Sequence, residues 1–184
     1  MKKYLHALAM CRSMFCAIPC FWRVWDEEAR DKMLLFLPAV GLETGAIWAL
    51  LAWLCRYLAL PALVQGAVLG AYPFVVTGFI HLDGFMDVTD AVRSCRDLAR
   101  RREILKDSRV GSFAVIGVVL LALCQTALFA SAKTAASLWT LVLLPAVSRC
   151  GSALAVTALR PMSTSQYAAQ KKPKSHIILS LIHI

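Results

Sequence analysis

Three aspartates, Asp83, Asp87 and Asp90, stand at i, i+4 and i+7, a spacing that sets all three side chains on one face of a helix. Like charges at such spacing repel, at a cost of about 0.2–0.5 kcal/mol per pair in an isolated helix. A hard divalent cation with oxygen ligands is the usual remedy. Two residues before Asp83 stands His81, a candidate to accept a proton from an attacking hydroxyl. A run of bases follows: Arg93, Arg96, Arg100 to Arg102, Lys106 and Arg109. Together the acids and bases could hold a metal ion and the oxygens of a phosphate or diphosphate group.

The elements that carry these residues belong to a membrane protein. The chain of 184 residues is 59% hydrophobic and only 17% charged, with a mean hydropathy of +0.65. Average soluble domains carry charge on about a quarter of their residues. Four apolar runs, Leu34 to about Tyr57, Pro61 to Ile80, Val110 to Ala130 and Ser137 to Leu159, each reach the roughly 20 residues that cross a bilayer as a helix. The predicted fold is therefore all-α, a polytopic membrane helical bundle of about four transmembrane helices. An N-terminal amphipathic or re-entrant helix, Tyr4 to Pro19, precedes them, with Trp22 and Trp25 at the membrane interface.

Basic residues orient the spans. Six lie before the first span, seven between the second and third and four after Leu159, whereas Arg56 and Lys133 alone fall in the alternate loops. By the retention of Lys and Arg on the cytoplasmic side, both termini and the aspartate segment should face the cytoplasm. The net charge of +9 records this topology and points to anionic lipid rather than to nucleic acid.

Other features have structural readings. Gly41-x-x-x-Gly45 and Gly66-x-x-x-Gly70 suggest close helix approach. Glu43 within the first span calls for a partner or a polar cavity, and Arg149 on the fourth span is the evident partner. The seven cysteines, scattered without a C-x-x-C pair, read as reduced and buried packing residues. Asp26 to Lys32 reads as a solvated helix face.

Position sharpens the reading of the aspartates. Asp83 follows directly on the second span, at a depth where carboxylates can bind Mg²⁺ and leave positions open for phosphate oxygens. Gly111 and Ser112 open the third span, where free backbone N–H groups favour an anion; Asp107-Ser108 also reads as a helix N-cap. The competing reading is a juxtamembrane helix laced with salt bridges such as Asp87 with Arg93 and Asp97 with Arg101.

The segments His81-Leu82-Asp83-Gly84, Asp87, Thr89-Asp90 and Lys106-Asp107-Ser108-Arg109-Val110-Gly111-Ser112-Phe113 resemble the signature of the cobalamin synthase family. Phe36 to Gly41 and Pro145 to Arg149 are similar to further family segments. The resemblance implies an Mg²⁺-dependent enzyme that joins α-ribazole, or its 5′-phosphate, to the cobinamide-side phosphate of adenosylcobinamide-GDP and releases GMP. Carried onto this chain, the family motif falls on His81, Asp83, Asp87 and Asp90, and charge and spacing make the three aspartates metal and catalytic residues with His81 as a further catalytic candidate. Asp107 becomes a fourth metal ligand, with Lys106, Asp107, Ser108 and Arg109 in the substrate site. Phe85-Met86, Val88-Thr89 and Ala91 depart from the family pattern and spare every carboxylate. The likeness runs to about Ala169, so residues 1–169 are expected to form one membrane-embedded catalytic domain that continues in other members. Residues 170–184 are expected to be a basic and apolar tail, possibly out of frame.

Two other classes compete. A CDP-alcohol phosphatidyltransferase-like enzyme also uses aspartates at a membrane edge, but its second aspartate pair is missing after Gly111. A cation transporter with an acidic mouth should carry ionisable residues at mid-membrane on several helices, and only Glu43 and Arg149 are so placed.

Overall fold

The computed structural model describes residues 2–132 and 137–159. The described chain forms α1 (Lys2–Phe15), a 3₁₀ segment (Glu27–Phe36), α2 (Leu37–Tyr57), α3 (Ala62–Val76), α4 (Ile80–Arg93), α5 (Leu98–Ile104), α6 (Ser112–Ser131) and α7 (Leu138–Ala158). It is an all-α polytopic membrane protein. Three helical stretches, Glu27–Tyr57, Ser112–Ser131 and Leu138–Ala158, are long and apolar enough to cross a bilayer, and α3 with α4 makes a fourth if the bent pair counts as one span. Lys133 and the tail 170–184 lie outside the described residues.

The helices fall into two compact units. The first comprises the residues up to Met14, Ile18–Ile47 and those from Trp139 onward. Here α1 buries Ala7, Ala9, Met10 and Cys11. His6 Nδ1 lies 2.8 Å from an Asp26 carboxylate oxygen. Asp26 also caps the 3₁₀ segment by accepting the Glu28 N–H, so this acid is a structural cap within the expected solvated face. Glu43 does not pair with Arg149: its two carboxylate oxygens accept from Arg12 Nε at 2.8 and 3.1 Å. The amphipathic α1 brings a guanidinium to α2, and the sequence offers no periodicity that would reveal it. Arg149 is buried on α7.

Gly41 and Gly45 let α2 approach α7 backbone to backbone. A Cβ at Gly41 would lie 2.6 Å from Ala146 Cα, and one at Gly45 would strike the Val142 carbonyl. The Leu141 carbonyl, which Pro145 cannot satisfy because it lacks an N–H, also faces Gly45.

The second unit comprises Phe15–Ala17 and Trp48–Leu138, and it holds α3 to α6. Gly66 and Gly70 seat α3 against Thr126, Gln125 and Ala130 of α6, so the second small-residue motif is also a helix contact. Pro73 within α3 cannot donate to the Leu69 carbonyl, and the Trp48 indole N–H fills that vacancy at 3.0 Å. Trp48 also stacks on Tyr72 and meets the Phe129 ring at a tilt of 59°.

The span expected over Pro61 to Ile80 is not a straight helix. It ends at Val76, breaks at Thr77 to Phe79 and resumes as α4 after a bend of 91°. Gly78 and Phe79 both take left-handed backbone, with φ of 60° and 63°. Phe79 bears the strain that a bulky side chain meets there, of order 1–2 kcal/mol. The turn is closed by hydrogen bonds from Gly78 N–H to Val75 O and from Phe79 N–H to Phe74 O. Ala17 N–H donates to Val76 O at 2.8 Å and so satisfies an otherwise open helix-end carbonyl. Of the seven free cysteines, Cys11, Cys16 and Cys55 are buried and Cys20 half-buried, but Cys95, Cys124 and Cys150 are exposed, which corrects the expectation of general burial. Cys124 and Cys150 lie on α6 and α7, where outward-facing positions suit any small apolar side chain.

Candidate functional site

The bend at Gly78 and Phe79 creates the site. It turns the acidic face of α4 toward the loop that connects α5 to α6, and the two enclose a cleft of about 250 Å³. The cleft is lined from α4 by Asp83, Met86, Asp87 and Asp90, and from the loop by Leu105, Lys106, Asp107, Ser108, Arg109 and Val110; Ala114 of α6 closes it. Seven of the eight residues singled out from the sequence meet there. His81 does not line it: the imidazole stacks on Phe15, ring centroids 6.5 Å apart and planes 17° apart. Two residues back along the helix is about 200° of turn, so His81 belongs to the face opposite Asp83.

The four aspartates are not equivalent. The Asp90 carboxylate accepts the Gly111 N–H at 2.7 Å with one oxygen and the Ala114 N–H at 2.8 Å with the other. It caps α6 from a neighbouring helix and latches the loop onto α4. The anion expected at the start of the third span is thus supplied by the protein itself, and neither Asp107 nor Ser108 is the cap. Gly111 is the counterpart of this latch, because a Cβ would lie 2.6–2.7 Å from the Asp90 carboxylate atoms. Asp107 receives the Arg109 backbone N–H at 3.0 Å and its guanidinium at 2.7–3.2 Å. These bonds hold its carboxyl down at about 2 and raise the guanidinium in turn. Asp83 and Asp87 are left facing the cleft. Burial, then the neighbouring charges of Asp83 and Asp90, push the Asp87 carboxyl above the ordinary range. Among the described residues Asp97 pairs with no arginine side chain; it caps α5 by accepting the Arg100 N–H.

Charge decides what can enter. Four aspartates stand against Lys106 and Arg109, so the cleft carries net negative charge and repels a bare phosphate. Among the described residues no three carboxylate, histidine or cysteine side chains converge closely enough to hold a metal ion alone. Two facing carboxylates suit Mg²⁺, which commonly takes one or two from the protein and completes its shell with water and substrate phosphates. Lys106 is exposed and makes no ion pair among the described residues, so its ammonium is available to an anion. The apolar lining and the Asp90 latch were beyond sequence reasoning; a glycine opening an apolar helix was the one visible signal of the latch.

The family described as Cobalamin-5-phosphate synthase matches residues 7–184. The adenosylcobinamide-GDP ribazoletransferase of Clostridium perfringens strain 13 is 40% identical over 150 residues, covering 81% of this chain and 60% of the relative. The protein of the same name from Clostridium botulinum strain Eklund 17B is 42% identical over 125 residues, 68% of this chain and 50% of the relative. That of Lachnoclostridium phytofermentans is 32% identical over 178 residues, 92% and 67% respectively. The chain spans about 60% of the length of the first of these curated relatives. No solved structure matches. The sequence match, the aspartate face and the basic loop lead to one assignment: the chain belongs to the cobalamin-5-phosphate synthase family.

Proposed function

We propose that the cleft between α4 and the 105–110 loop binds the diphosphate of adenosylcobinamide-GDP with Mg²⁺, and that the protein transfers the cobinamide phosphate to α-ribazole or its 5′-phosphate. The observation that carries the reading is the pair of open carboxylates, Asp83 and Asp87, facing Lys106 across a cleft that needs a cation before it can admit an anion. The names of the relatives supply the substrates.

In this reading Asp83 and Asp87 hold the ion. When bound, Mg²⁺ neutralises diphosphate charge and stabilises the charge that develops on the leaving phosphate. Lys106 contacts the non-metal phosphate oxygens, and Arg109, oriented by Asp107, adds a second cation at the mouth. Asp90 keeps the loop against α4. A ribose hydroxyl of the acceptor attacks the cobinamide-side phosphorus and gives up its proton to solvent in the open cleft; the bond from that phosphorus to the bridging oxygen breaks, and GMP leaves with the oxygen. His81, on the far face of α4, takes no part at the cleft as it stands. We place the cleft on the cytoplasmic face of the inner membrane, because seventeen basic residues lie on that side against two on the other.

The test is GMP release from adenosylcobinamide-GDP and α-ribazole by the reconstituted chain. Activity should require Mg²⁺, and Asp87→Asn should abolish it while membrane insertion persists. An Asp87→Asn variant with full activity would remove the metal role.

A further inference from the structure

We propose that α4 lies in the plane of the membrane interface, with Val88 and Val92, beyond the first turn where His81 meets Phe15, in contact with lipid and the arginines that follow bound to anionic lipid headgroups. Four observations point there. First, α3 is only 15 residues, about 22 Å at 1.5 Å per residue, and the chain then turns by 91° into α4. If α3 follows the bilayer normal, α4 runs along the surface. Second, α4 is two-sided. Counted from Asp83 at about 100° per residue, Val88 lies near 140° and Val92 near 180°. Each is 53% exposed, whereas the aspartate edge is occupied by the cleft.

Third, α6 covers the adjoining edge, near 200–240° on the same count. Thr89 and Phe85 face the close-packed Gly117, so the contact between the two helices leaves the valines outward. Fourth, the apolar edge runs into a cationic one. Arg93, Arg96 and Arg102 are exposed and outside every ion pair among the described residues, and Leu98, 64% exposed, stands among them. An apolar edge flanked by arginines is the pattern of an interfacial helix on an anionic bilayer. Lipid is favoured over a protein partner because the valine edge is continuous with a chain that has just left the membrane, and because the adjoining charge is complementary to phosphate. The arrangement would hold the cleft at the water side of an anchored helix, whatever the cleft binds.

The experiment uses the full chain in nanodiscs of phosphatidylcholine alone or mixed with phosphatidylglycerol. An environment-sensitive fluorescent amino acid is placed at position 88, at 92 and, as a water-facing control, at 106. Nitroxide-labelled lipid should quench the probes at 88 and 92 several-fold more than the one at 106, and a water-soluble quencher should show the reverse order. Phosphatidylglycerol should slow amide exchange over residues 92–104, and Arg93→Gln/Arg96→Gln/Arg102→Gln should abolish that slowing while exchange in α6 stays unchanged. Probes at 88 and 92 quenched mainly from water, or shielded from both quenchers by protein, would overturn the proposal. So would exchange over 92–104 that is indifferent to lipid charge.

Discussion

Replacing Gly111 by alanine should unlatch the cleft while leaving the helices formed. Gly111 has φ −88° and ψ 166°, an extended conformation open to any residue, so backbone strain contributes nothing. The whole effect comes from Asp90. The new Cβ would sit 2.6 Å from Oδ1 and 2.7 Å from Cγ and Oδ2, and ordinary contact begins at 3.4 Å, so the carboxylate must withdraw by roughly 0.7 Å. A hydrogen bond of 2.7 Å to the Gly111 N–H then lengthens out of range. Losing one such bond to a charged acceptor costs about 1.5–3 kcal/mol, which lowers the ratio of latched to unlatched molecules by about ten- to a hundred-and-fiftyfold. Two readouts follow: faster amide exchange at Ala114 and in the 105–110 loop, and weaker substrate affinity with chemistry less affected. In an Asp90→Ala background, alanine at 111 should have no further effect, because the atoms it strikes are gone. Wild-type exchange in Gly111→Ala, or additive effects in the double variant, would refute the latch.

Other outcomes follow from the same geometry. The raised Asp87 carboxyl should put the acid limb of activity above the ordinary aspartate value of about 3.9; more Mg²⁺ should move that limb to lower pH, since ion and proton compete, and a limb insensitive to Mg²⁺ would speak against the assignment. Across the same limb the Asp107–Arg109 clip should persist: a depressed carboxyl stabilises above its unfolded value and fades only as pH falls toward about 2, which amide exchange at Arg109 can follow. Arg12→Ala removes the guanidinium from the half-buried Glu43 and should cost about 1–3 kcal/mol in detergent melts, with most of it recovered by adding Glu43→Gln. Gly66→Val should separate α3 from α6 at about 1–3 kcal/mol, because its side chain meets the Thr126 carbonyl; an unchanged melting temperature would contradict that contact.

Much of this fold is legible in the chain because hydrocarbon demands long uncharged runs. Three of the four expected spans match α2, α6 and α7 within a few residues. The second span misled because hydropathy averages over a window and does not register one left-handed turn at Gly78 and Phe79. The aspartate face was readable from spacing, and the basic loop from charge. Their meeting in one cleft depended on the family likeness and on the bend. Ion-pair partners were the weakest inference. Glu43 found Arg12 on α1 rather than Arg149 on α7, since sequence shows that a buried charge needs company but not which helix supplies it. Asp90 shows the same limit within the motif: helical spacing put it on one face with Asp83 and Asp87, yet two backbone N–H groups claim its oxygens.

The central claim is that Asp83 and Asp87 hold a divalent ion together with a diphosphate. Its most direct test is the electron paramagnetic resonance signal of free Mn²⁺, titrated with the full chain in nanodiscs in the presence of GDP and compared with protein-free GDP. The account predicts additional Mn²⁺ uptake by the wild type that Asp83→Asn and Asp87→Asn each lose. Equal uptake by the wild type and both variants would contradict it.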